Sequence, residues 1–157
     1  MNLNITYSEH SRLEYQINKF LADQDFTHHV TLAFNEWRSL PSARETLRQW
    51  HGRVDRALLG RSWQKRSLGC RTLFLAFAEH IDSNIHYHLL VRPASARIGY
   101  SFDIATEHAW RNLVQGGSVA VSPIYDAIGI SHYVTKDLWQ SRNYENFVVS
   151  TEFVSHN

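Results

Sequence analysis

A chain of 157 residues, 43% hydrophobic and 13% aromatic, is long enough for one domain with a sizeable core and too apolar to be disordered. Its longest apolar runs, 73–78 and 89–91, are too short to span a bilayer, no basic segment followed by an apolar stretch opens it, and the lone Cys70 excludes an internal disulfide, so a cytoplasmic protein is expected. The net charge of +1 hides an asymmetry: from Arg38 to Arg71 nine basic residues meet two acidic ones, giving +7, while the rest of the chain carries −6.

Leu13, Ile17, Phe20 and Leu21 recur at helical spacing and predict a helix over 8–21, inside an N-terminal extension of 1–25. The core of a single domain is expected over about 26–153. Residues 26–34 (FTHHVTLAF) are β-branched and aromatic and predict the first strand. Pro41 suits the first turn of a helix whose Leu47, Trp50, Val54 and Leu58 form an apolar stripe, with Arg44, Arg48 and Arg53 pointing elsewhere and Gly60 ending it. Segments 72–79 and 85–91 read as strands joined by the polar turn 81–84, hence an antiparallel hairpin. A helix capped at Ser101 or Asp103 runs to about Val114, where Gly116 and Gly117 stop it; a strand at 118–124, a helix at 126–139 and a strand at 146–153 follow. The order predicts an α+β fold: an antiparallel sheet of about five strands with flanking helices, mainly on one face.

The basic zone is the electrostatic footprint expected of phosphate contact. Its candidate nucleic-acid-binding residues are Arg44, Arg48, Arg53, Arg56, Arg61, Lys65 and Arg66. Trp37 and Trp63 lie among these arginines; packing in the fold is the first expectation for their rings, and stacking of an exposed ring on an unpaired base the alternative. His28 and His29 flank the first strand as surface residues or DNA contacts.

His86 and His88 stand two residues apart in a strand, so both imidazoles share one face and form a clamp for a divalent cation. If the turn centres on Asp82 and Ser83, Glu79 lies opposite His86 and Phe77 opposite His88. Glu79 then completes a Glu/His/His set suited to Mn²⁺ or Mg²⁺ in phosphoryl transfer rather than to a closed structural zinc. A one-residue slip would substitute His80 as third ligand. On the last helix Ala127, Ile130, Val134 and Leu138 form the core stripe, whereas Tyr133, Lys136 and Gln140 share the opposite face. A tyrosine beside a lysine suits covalent catalysis on a phosphodiester, the phenol attacking phosphorus and the ammonium stabilising phosphate charge.

The strand at 27–34, the His86-x-His88 strand behind an upstream glutamate, and the Tyr133-x-x-Lys136 helix come in the order and spacing of three motifs. Over about 26–139 the chain resembles HUH endonucleases of the single-tyrosine, rolling-circle replication-initiator (Rep) kind. The resemblance implies a ferredoxin-like arrangement, with His86 and His88 as metal-binding histidines, Glu79 as the acidic ligand, Tyr133 as the nicking nucleophile and Lys136 as its companion. Residues 30–34 match the first motif. The implied activity is metal-dependent, site-specific cleavage of single-stranded DNA at an origin hairpin or melted origin. The tyrosine retains the 5′ end until a 3′ hydroxyl reverses the step. Tyr87 departs from the aliphatic residue usual between the histidines. No G-x-x-x-x-G-K-[ST] phosphate loop occurs, so a separate helicase and host replication machinery are expected partners. The same chemistry would serve a transposase or relaxase, and the same fold a non-cleaving DNA-binding regulator. Tyr125 is the alternative nucleophile.

Overall fold

The structure, a computed structural model, describes residues 7–141 and 146–154. Helix α1 (Tyr7–Ala22) leads into β1 (His28–Ala33) and α2 (Leu40–Leu59). The hairpin β2 (Leu73–Glu79) and β3 (His86–Arg92) follows, then α3 (Phe102–Leu113), β4 (Ser118–Pro123), α4 (Ala127–Ser141) and β5 (Phe147–Val149). The strands pair in the order β4-β1-β3-β2-β5, antiparallel throughout. With α2 and α3 as crossovers, β1 to β4 form the ferredoxin-like split βαβ arrangement, and β5 extends it beyond β2.

Local chemistry sets the ends of α2. Ser39 caps it by accepting the Ser42 N–H at 3.4 Å, Pro41 sits in the first turn, and Gly60 closes it at φ 87°. Behind α2 the fully buried Asp55 accepts the Arg71 Nε–H and the Thr72 N–H, each at 3.0 Å. That carboxylate ties the helix to the start of β2.

Strand alternation splits the apolar residues between two cores. Val30, Leu32, Phe74, Ala76, Tyr87, Leu89 and Val91 pack beneath α2 and α3, with Leu47, Trp50, Val54, Leu58 and Trp110. Tyr87 is fully buried, so its ring packs as an aliphatic residue would. On the other face Phe77 and Leu90 pack with Leu21 of α1 and with Val134, Leu138 and Trp139 of α4. Helices mainly on one face are therefore corrected to two on each. The N-terminal segment is structural rather than an appendage: buried Asn18 accepts the Thr135 hydroxyl at 2.9 Å and holds α1 against α4.

The last strand is also shorter than 146–153. After Val149 the chain turns into a 3-10 helix (Ser150–Phe153). The Ser150 hydroxyl accepts the Phe74 N–H at 3.0 Å, replacing the ladder partner that a longer strand would supply. Among the described residues no helix is long and apolar enough to cross a membrane.

Candidate active site

The hairpin register pairs Glu79 with His86 and Phe77 with His88. Three candidate ligands thereby reach the sheet face covered by α1 and α4. His86 Nε2 lies 3.1 Å from Glu79 Oε2 and His88 Nε2 lies 3.3 Å from the same oxygen. His80, the competitor, takes φ 51° directly after the strand and so leaves its alternation. It joins Asp137 in a second group that could hold a cation, sharing Glu79.

Glu79 is 2% exposed. Burial by itself raises its carboxyl, but the hydrogen bond to His86 and the close approach of His88 and the Lys136 ammonium outweigh that and hold it well below the carboxylate range. The hydrogen bond to Glu79 raises His86, against the opposing effect of burial. A negative oxygen thus sits between two imidazole nitrogens.

The donor set fits a divalent cation. One carboxylate oxygen and two imidazole nitrogens lie within 4.8 Å of one another. His88 Nε2 and Glu79 Oε1 are buried without a hydrogen-bond partner. Buried polar atoms are normally satisfied, and a cation between them would satisfy both.

The back of His88 is supported by two β1 residues that strand periodicity alone did not place in the site. Thr31 Oγ1 and His29 Nε2 each lie 3.2 Å from His88 Nδ1, and the His29 and His88 rings stack at 5.4 Å. Burial, with the neighbouring His88, lowers His29 to about 4, so it is uncharged at neutral pH. Strand alternation puts residues 29 and 31 on one face, but only the β1–β3 register, with Thr31 opposite His88, brings them to the metal set. His28 faces the other way, beside Phe102 and Asp103.

Helix α4 carries the second half of the site. The Tyr133 ring meets His88 edge-on at 5.1 Å and His29 at 5.9 Å. Lys136 Nζ lies 3.4 Å from Glu79 Oε1 and 4.2 Å from the centre of the Tyr133 ring. No family model, curated protein or solved structure matches this chain. The placement of Tyr133 and Lys136 opposite the core stripe needs correction: they border it and reach back over the sheet onto the candidate ligands. Tyr133 nevertheless remains 45% exposed, so its ring is accessible from solvent. Tyr125, on the turn before α4, is 92% exposed and makes no ring contact with His29, His86 or His88. Tyr144 and the side chains of Tyr7 and Gln140 lie outside the described residues.

Beside the candidate metal ligands the sheet lies open. Ser118 pairs with Ala33, which pairs with His86; Ala120 pairs with Thr31, which pairs with His88. Ser118, Ala120 and Ser122 of β4 are exposed, forming a small, polar floor that leads to the ligands.

The candidate nucleic-acid-binding set does not converge on this site. Arg44 pairs with Glu152, and Arg48 pairs with Glu45 at 2.6 Å. Arg53, Arg56, Arg61, Lys65 and Arg66 are exposed and have no carboxylate partner among the described residues. Helix α2 packs on the sheet face away from His86 and His88. Trp37, beyond the end of β1, is 70% exposed, whereas the Trp63 ring is covered by the Arg71 guanidinium at 4.6 Å.

Proposed function

We propose that this chain is a metal-dependent nicking and joining enzyme for single-stranded DNA, of the HUH kind, acting in the cytoplasm. The observation that carries the reading is the meeting of the Tyr133 ring and Lys136 Nζ with the Glu79/His88 pair, from a helix that follows the hairpin by some 40 residues of sequence. A metal-binding hairpin needs no tyrosine at its mouth, whereas an enzyme that holds the cut strand covalently needs a nucleophile there, and a phenol can serve.

Each group has a role at a stated atom. Mn²⁺ or Mg²⁺, held by Glu79, His86 and His88, would polarise the scissile phosphate as a Lewis acid. The Tyr133 oxygen attacks phosphorus, forming the Tyr–O–P bond as the P–O3′ bond breaks. The departing 3′ oxygen takes up one proton for the one the phenol gives up, and the 5′ end stays on Tyr133. Lys136 places a positive charge beside the tyrosine ring, where it offsets charge on the phosphate. The reverse attack by a 3′ hydroxyl rejoins the strand without a nucleotide cofactor. The uncovered floor at Ser118, Ala120 and Ser122 offers an approach for an unpaired strand, and exposed Trp37 a surface for base stacking. Initiation of rolling-circle replication, with a separate helicase and host machinery as partners, is the use that the resemblance implies; a transposase or relaxase would need the same residues.

Incubation with a pool of labelled single-stranded oligonucleotides and Mn²⁺, resolved on a denaturing gel, tests this. The expected result is a covalent protein–DNA adduct that disappears with Tyr133→Phe and with chelator. An adduct that survives Tyr133→Phe would move the nucleophile elsewhere, first to Tyr125. Metal binding with no adduct across the pool would favour a non-cleaving regulator.

A further inference from the structure

The arginines left unpaired on α2 do not lie on a smooth helix face. Arg53, Arg56 and Arg61, with Trp63, line a cleft of about 530 Å³. Arg53 and Arg56 also line a second concavity of about 530 Å³, between α2 and α3, with His108 and Asn112. Because the two share Arg53 and Arg56, the cationic surface continues across both helices rather than ending in a closed pocket. A small anion would occupy one concavity; a continuous open trough with its charge at the centre fits an extended polyanion.

The aromatic residues of the cleft decide which polyanion. One face of Trp63 lies under the Arg71 guanidinium at 4.6 Å, and its edge packs so closely on α2 that a Cβ at Gly52 would come 3.4 Å from it. Phe153 sits beneath Arg44 and against the His51 and Phe74 rings. Both rings are only partly exposed, and the exposed lining of the cleft is Arg48, Gln49, Arg53, Arg56, Arg61 and Gln64 rather than the row of open rings on which recognition of single strands relies. Charge thus dominates over stacking surface, the chemistry that grips the phosphates of a duplex.

We propose that the α2–α3 face is a second nucleic-acid site, which holds the backbone of duplex DNA across the sheet from Tyr133. It rests on the reading of the protein as a DNA enzyme. The two faces would let one molecule hold double-stranded DNA flanking a melted segment while the strand to be cut lies on the other side.

The test is fluorescence anisotropy of the full chain with a labelled 20-base-pair duplex of random sequence, over a range of salt concentrations and in the presence of chelator. Arg53→Glu/Arg56→Glu is expected to weaken duplex binding about tenfold or more. It should also lower the slope of log affinity against log salt by about one for each phosphate that the protein no longer neutralises. Arg12→Glu/Lys19→Glu, the same charge change on α1, should bind within about twofold of wild type. Equal weakening by both pairs would mean diffuse attraction and would overturn the proposal, as would unchanged binding by the α2 pair. A preference for single-stranded over duplex DNA that the α2 pair abolishes would overturn the choice of duplex. Matching far-UV circular dichroism and melting temperature separate these results from misfolding. No step passes through the metal set, so failure to form an adduct sinks the nickase reading and leaves this result standing.

Discussion

His88 owes its orientation to neighbours 57 and 59 positions away in the sequence, Thr31 and His29. In the tautomer that leaves Nε2 free for a cation, Nδ1 carries the hydrogen and Thr31 Oγ1 can accept it. Thr31→Val keeps the shape and β-branching and removes that acceptor. Mn²⁺ affinity measured by calorimetry is expected to fall about tenfold, within the range typical of such supporting partners. Affinity equal to wild type would show that Thr31 does not orient the ligand. That His86, His88 and Glu79 share one face was legible because strand period and a short turn are local properties. That His29 and Thr31 join them was not, since the pairing of β1 with β3 closes a long loop that no local signal specifies.

Between elements, Asp55 is the principal polar joint, linking α2 to β2 through Arg71 and Thr72. Removing it leaves the buried Arg71 guanidinium without its carboxylate, so Asp55→Ala should cost about 3 kcal/mol in urea unfolding. Burial by itself raises the Asp55 carboxyl, but its hydrogen bonds with His51 and Thr72 outweigh that and keep it below the ordinary range. A carboxyl depressed in the folded state contributes stability above its unfolded value of about 4 and loses it as pH falls through the folded value. Wild-type stability should therefore drop below about pH 4, and Asp55→Ala should show a correspondingly shallower drop there. Parallel acid profiles would exclude this linkage. Helix α2 itself was readable from Pro41, its apolar stripe and Gly60, whereas Asp55 entered only the charge count, since nothing local marks an acid as buried. The final strand failed for the opposite reason: 146–153 has a strand's composition, but the Ser150 hydroxyl takes a ladder donor and ends the pairing.

At the scale of the molecule, the candidate metal ligands belong to one hairpin and Tyr133, the proposed nucleophile, to a helix held from outside by α1. The two functions should separate. Asn18→Ala removes the α1 side-chain contacts with the Thr135 hydroxyl and with His132 and loosens α4 without touching the hairpin. Adduct formation is expected to slow by about tenfold or more, as small displacements of a reacting group do, while Mn²⁺ affinity stays within about twofold. Equal losses in both assays would show the site to be one rigid unit instead.

By itself the sequence determined an α+β chain with an antiparallel hairpin, two histidines and a glutamate on one face, and a concentrated run of arginines, because each depends on period, turn chemistry or simple counting. Only the tertiary structure decided that α4 swings Tyr133 and Lys136 onto those side chains, that a second helical layer covers that face, and that the arginines lie across the sheet from it. Those outcomes follow from which sheet face each helix buries, and an amphipathic stripe specifies that a helix packs but not on which side.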